Sequence, residues 1–262
     1  MDSLAQAAPA DQDLARRLEA ERAFHNAKFA GHEEHKPSAA IYELPRVAYR
    51  WFEGEVQPLC AGAEVLEFGC GGSSYAVKLS EWGARVTAID ISDEAVEETR
   101  RRVADAGFAE QTRLIRMNAE ELEFPDASFD LVVGRAILHH LDLEKSYAAI
   151  ARVLKPGGQA IFLEPLAHNP LINLYRRMTP NLRTEDEHPL TMRDAHLARA
   201  HFHKLDMRYF TLMSMGALAA AKAPKLFAGM IKALDKADGA LFRVAPFMGR
   251  WAWTAGMVMR KA

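Results

Sequence analysis

An apolar run that breaks directly into glycine constrains this chain more than any other feature. Val65-Leu66-Glu67-Phe68 is followed at once by Gly69-Cys70-Gly71-Gly72. The run has strand length, and glycine permits a tight turn into a following helix. Missing side chains also let a ligand lie against the backbone. A plain strand-to-helix turn reads the same way, so the flanking chemistry has to decide. A dinucleotide fingerprint would require glycine where Ser74 stands, which counts against that version without removing it. Glu67 precedes the first glycine. A carboxylate there repels pyrophosphate and suits a ligand carrying an ammonium or sulfonium charge.

Downstream, strands and helices alternate. VTAID is a second strand ending in Asp90, 19 residues beyond Gly71. A carboxylate at that point can accept both hydroxyls of a ribose. Its competing role is to cap the next helix together with Ser92. TRLIRM is a third strand, and Asn118-Ala119-Glu120 follows it as a turn suited to an adenine edge. FDLVVG is a fourth strand. A helix near Leu143–Leu154 stops at Pro156-Gly157-Gly158, and QAIFLEP is a fifth strand. HKLDMRYFTL and WAWTAGMVMR read as a sixth and a last strand. Such alternation predicts a parallel sheet covered on both faces, with ligands at the carboxyl ends of its strands.

At this point EFGCGG, AIDIS, MNAEELEFPDASFDLVVGRAILHHL and RVLKPGGQAIFLEP together resemble the class I S-adenosylmethionine-dependent methyltransferases. Within them the chain is similar to the small-molecule group (methyltransferase type 11) that includes quinone-biosynthesis enzymes. The resemblance covers roughly residues 60–165. It implies a Rossmann-like α/β fold: a seven-stranded, mostly parallel sheet, helices on both faces and an antiparallel last strand. It implies S-adenosyl-L-methionine as cofactor. Glu67, Gly69 and Gly71 would surround its methionine part, Asp90 would hold the ribose, and Ile91 would pack on the adenine. Asn118 and Ala119 would meet the adenine edge. Arg135 lies where the family places backbone near the methionine end.

The acceptor side is read from chemistry alone. An activated donor needs positioning first, and a general base only if the acceptor must lose a proton. Glu164, His139 and His188 are the candidates for catalysis, with His140 and His168 beside them; each has packing or turn closure as its competing role. Segment 165–200 is expected to be a helical substrate-side insertion between strands five and six. In it, Arg176, Arg177 and Arg183 are suited to an anionic group or to solvent. Residues 1–55 are expected to form an N-terminal helical lid, with residues 56–262 as the methyltransferase domain. Phe24-His25-Asn26, Lys28 and Phe29 resemble the family's covering helix. Pro45 should interrupt the second helical stretch. Tyr42, Tyr49 and Trp51 are either an aromatic acceptor pocket or core. Residues 213–247, rich in Ala, Met, Leu, Phe and Lys, are a buried helix pair or an apolar surface for a greasy acceptor, a membrane interface or a partner subunit.

Composition narrows the partners. A net charge of −2 makes a nucleic-acid substrate unexpected. No Asn-Pro-Pro-Tyr-type segment follows strand four. Two cysteines form no disulfide framework. The N-terminus lacks a secretory signal pattern, and no apolar run of about 18 residues is present, so cytoplasmic residence is expected, with peripheral membrane contact left open. The His and Glu residues of EDEH match no ligand spacing, and no metal is expected. The expected reaction is methyl transfer to a small organic acceptor (a natural product, quinone or lipid-like molecule), on oxygen first and on nitrogen or carbon next. The alternatives are a nicotinamide-dependent oxidoreductase, which lacks a Tyr-x-x-x-Lys pair here, and a non-catalytic methyltransferase-like binding module. Oligomeric state is not legible.

Overall fold

The computed structural model describes residues 16, 19–23, 26, 39–179 and 188–262. Seven strands form one sheet: β1 Glu64–Phe68, β2 Arg85–Asp90, β3 Thr112–Arg116, β4 Phe129–Arg135, β5 Leu154–Pro165, β6 Lys204–Phe210 and β7 Thr254–Arg260. Their spatial order is β3-β2-β1-β4-β5-β7-β6. Strands β1 to β5 pair in parallel. Strand β7 runs antiparallel to both β5 and β6. The predicted sheet is therefore the observed one. The chain moves outward from β1 through β2 to β3, then returns to place β4 on the other side of β1. That reversal opens a crevice beyond the carboxyl ends of β1 and β4.

Alternating side chains serve two apolar layers, because successive strand residues face opposite sides. Val65, Leu131 and Val133 face one layer, with helix α2 (Arg46–Val56), α3 (Ala76–Glu81) and α4 (Asp93–Asp105) packed on it. Leu66, Phe68 and Val132 face the other, under α5 (Leu143–Val153) and α7 (Met192–Leu197). Ala48, Phe52 and Val56 of α2 are buried in the first layer. The carboxyl end of the 1–55 stretch is thus part of the sheet's cover. As expected, Pro45 separates α2 from the short α1 (Ala39–Glu43).

Caps stop and start the helices where the sequence supplies them. Ser92 Oγ accepts from Ala95 N at 3.1 Å, and Asp142 from Lys145 N at 3.2 Å; each such cap contributes about 1 kcal/mol. Thr191 and Asp194 form a reciprocal capping box at α7. Helix α6 (Pro170–Met178) is capped by Asn169, whose amide also donates to Trp251 O. Strand β5 differs from expectation by beginning at Leu154. Leu154 pairs with Phe129 and Gln159 with Leu131, so Lys155–Gly158 bulges between them, bonded to Lys261 and Ala262 and turning at Gly157 with φ +74°.

Residues 213–247 form a 3-10 helix, Met213–Ala220, and a long helix α8, Pro224–Val244. Buried Asp238 of α8 accepts from the amides of Leu212, Met213 and Ser214 and from Ser214 Oγ. One carboxylate thereby satisfies the open amino end of the 3-10 helix. A third apolar cluster joins Leu44, Ile172, Met215 and Phe227.

Trp51 of α2 fills the space over Gly256 of β7, where an added Cβ would lie 1.9 Å from the indole ring. We expect Gly256→Ala to destabilise the fold by about 2–3 kcal/mol in urea unfolding. Trp51→Phe in the same background should recover part of that loss. Strictly additive losses would show that the two residues do not compete for this space.

Candidate active site

A cavity of about 460 Å³ opens at the crevice beyond β1 and β4. Its walls contain Glu67, Gly69, Gly71, Asp90, Ile91, Asn118, Ala119 and Arg135, all eight residues expected on the cofactor side. They come from the ends of four different strands, which is why only the closed sheet assembles them.

The glycine turn is held from several directions. Gly69 N and Cys70 N donate to Ile89 O, tying the turn to β2. Gly69 sits at φ +79°, and a Cβ there would meet Ile137 at 2.8 Å. Asp90 Oδ2 accepts from Gly71 N at 2.8 Å and Oδ1 from Ser92 N at 2.9 Å. Asp90 therefore braces the turn and the start of α4 while its half-buried carboxylate faces the cavity. The helix cap is Ser92 itself, and Asp90 supports it through Ser92 N. Arg102 donates to Gly72 O and Ser74 O from one side, and Arg135 to Ser73 O from the other. The Arg135 guanidinium also lies 4.2 Å from the Tyr75 ring centroid and 5.1 Å from that of Tyr49. Its side chain is thus a clamp on the loop.

Glu67 is buried, and burial pushes its carboxyl up to about 7. Ser74 Oγ donates to it at 2.6 Å and Tyr75 N at 2.5 Å. Ser74, first noted only as a missing glycine, is the partner that makes a carboxylate tolerable there. Asn118 Oδ1 accepts from Glu120 N, closing the predicted turn, and Glu120 accepts from Asp142 N. Burial raises the Cys70 thiol well above its ordinary range, which favours the neutral thiol over the thiolate.

On the opposite wall, His139 faces the cavity and Glu164 lies fully buried behind it. Glu164 Oε1 accepts from Ile137 N and Leu138 N, both at 3.0 Å, and Oε2 is 2.8 Å from His139 Nδ1. Glu164 therefore reaches the cavity only through His139. The exposed His188 is not among the cavity residues; its backbone N–H donates to His139 O at 3.2 Å. His168 and Arg177 are exposed, and Arg176 is half-buried on α6. Trp51 is taken up by Gly256 and by Phe210, 5.4 Å away, and is core. The side chain of Tyr42 and residues Phe24, His25, Lys28, Phe29 and Arg183 lie outside the described residues. No cluster of three or more His, Cys, Asp or Glu able to hold a metal ion occurs among the described residues.

Sequence reading missed Glu21, Tyr75 and Met117 as cavity residues. Glu21, in the helical residues 19–23, is buried with Oε2 3.5 Å from His140 Nδ1. Its neighbour Arg22 pairs with Asp93 at 2.8 Å. Only an unexplained buried acid in a charged helix could have signalled it.

The family model described as a methyltransferase domain matches residues 66–162. The chain is 34% identical over 136 residues to the ubiquinone biosynthesis O-methyltransferase of Xanthomonas axonopodis pv. citri, covering 51% of this chain and 55% of that one. It is 38% identical over 112 residues to the dimethylglycine N-methyltransferase of Parasynechococcus marenigrum, covering 42% and 40%. The chain thus spans about half the length of these curated relatives or less. Among solved structures, the geranyl diphosphate C-methyltransferase of Streptomyces coelicolor superposes with a TM-score of 0.64 at 16% identity, over 98% of this chain and 100% of that one. Residues 66–162 thus match a methyltransferase domain, and with its motifs in family order on the matching sheet the chain is similar to the class I, small-molecule S-adenosylmethionine-dependent methyltransferases.

Proposed function

We propose that this protein is an enzyme that transfers the methyl group of S-adenosyl-L-methionine to a hydroxyl of a small organic acceptor. The observation that carries the oxygen-directed reading is the buried Glu164–His139 pair on the cavity wall. The residues present fit the cofactor. Glu67 is a buried carboxylate in a wall otherwise shaped by glycine, and Asp90 and Asn118 follow along the same strand ends. When bound, the sulfonium supplies an already activated methyl group, so displacement needs alignment more than activation.

The chain's own residues provide that alignment and a proton acceptor. Arg102, Arg135 and Asp90 hold the glycine turn against the cavity. With the Nδ1 proton directed at the Glu164 carboxylate, Nε2 is the nitrogen that would take a proton from the acceptor hydroxyl. Glu164 is a positioning residue in this scheme. Residues 19–23 cover the cavity through Glu21 and act as part of the lid. Phenols, quinols, carboxylates and lipid-like alcohols are the acceptors to screen. Methyl transfer to nitrogen or carbon is the second reading, and Glu67 and Asp90 serve it equally.

Three outcomes are expected. Asp90→Ala should weaken S-adenosylmethionine binding at least about 10-fold in calorimetry through the lost carboxylate contacts; unchanged affinity would remove Asp90 from the cofactor site. Glu67 is held up by burial, so in the free protein it contributes stability below its ordinary range, lost as pH rises through about 7. A cation beside it favours the ionised form. Binding near pH 6.5 should then release protons, seen as a dependence of the apparent enthalpy on buffer, and Glu67→Gln should abolish that release. Finally, His139→Gln should lower kcat about 10²–10⁴-fold with little change in cofactor affinity. In Glu164→Gln an amide N–H facing Nδ1 reverses the tautomer, so kcat should fall while the fold persists. Full activity in both would sink the proton-acceptor role.

A further inference from the structure

Helix α8 carries a row of positive charge that neither the cavity nor the core uses. Lys225, Lys232, Lys236 and Arg243 are all exposed. Their spacing of 7, 4 and 7 residues places them within about 20° of one line along the helix, at 100° per residue. The row is about 27 Å long at 1.5 Å per residue. None of the four is held in an ion pair among the described residues. The helix has two acids, Asp235 and Asp238. Asp238 is buried on the 3-10 helix amides, and burial raises Asp235. Neither neutralises the row.

Apolar side chains flank it. Leu226 and Val244 are 58% and 80% exposed and lie 18 residues apart, on one line about a quarter-turn from the basic row. Phe247, just beyond the helix, is 67% exposed. Helix α6 adds Leu171, Leu174 and Met178, exposed at a spacing of three and four residues, with Arg176 and Arg177 and no acid. Ile172 of α6 and Phe227 of α8 are buried in the same cluster, so the two helices share one layer. Every exposed large hydrophobic side chain among the described residues falls after strand β5. The chain as a whole is net negative, so this concentration of positive charge and apolar surface is local.

We propose that the outer face of α8, with the exposed stripe of α6, docks onto the surface of an anionic phospholipid bilayer. A basic row beside an apolar row on a helix fixed by its third face is the pattern of an interfacial element. Lipid phosphates take the lysines and Arg243 while Leu226, Val244 and Phe247 enter the acyl boundary. A nucleic acid would engage the basic row alone and leave the apolar residues in water. A single small anion cannot span a row of this length. The proposal does not depend on the methyl-transfer reading, because it concerns a face outside the cavity.

The test is flotation of the full chain, without cofactor, on vesicles of phosphatidylcholine alone and of phosphatidylcholine mixed with phosphatidylglycerol. Binding is expected only to the mixed vesicles and should weaken with salt. Each basic residue near an anionic leaflet contributes about a 5-fold factor in partitioning. Lys225→Glu, Lys232→Glu, Lys236→Glu and Arg243→Glu combined should therefore reduce binding at least about 100-fold. An unchanged thermal midpoint checks that this variant folds. Leu226→Ser with Val244→Ser should remove the part of binding that survives high salt. Three results would overturn the proposal: no flotation of folded wild type with the mixed vesicles, equal flotation of the charge-reversed variant, or binding of a duplex RNA with none to vesicles.

Discussion

The carboxylate accepting from backbone amides is the interaction on which the cavity depends. Asp90 joins the glycine turn to the start of α4 through Gly71 N and Ser92 N. Glu67 takes Tyr75 N, Glu164 takes Ile137 N and Leu138 N, and Glu120 takes Asp142 N. The loops at the carboxyl edge of β1, β2 and β4 are each bonded through a backbone amide to one of these acids. Loop amides buried without partners cost about 1–3 kcal/mol each, and an ionised acceptor makes a stronger bond than a neutral one. These bonds fix the loops that line the cavity to the sheet's strand ends.

Glu67 and Asp90 line the cavity while bonded to its loops. Glu164 is more remote. It holds the loop with one oxygen and the His139 imidazole with the other. The cavity is lined from the ends of β1 to β3 and from the end of β4 and the loop after it. Helix α8 packs on the edge strand β6 and shares an apolar cluster with α6, and the two carry surface chemistry of another kind.

How much was legible varied with the range of the interaction. Most strands, the cap at Ser92, the break at Pro45 and eight residues that line the cavity were readable, because each rests on local pattern or on motifs in fixed order. The extension of β5 back to Leu154 was not, since its register shift is set by pairing with β4. Trp51 illustrates the limit for aromatics: only the position of Gly256 on a strand over 200 residues later makes it a packing residue. Ser74 was read by what it lacked, and its hydroxyl on Glu67 depends on the loop folding back.

The sequence by itself determined the alternation of elements, the glycine turn and the carboxylates at strand ends, since periodicity and turn chemistry act within a few residues. Tertiary structure alone decided that Glu164 sits behind His139, that His188 meets His139 only through its backbone and that Glu21 reaches the cavity. It also decided that the basic row of α8 faces outward. Those outcomes depend on which strands become neighbours and on which face of each helix the sheet takes, and both are set by long-range pairing and burial.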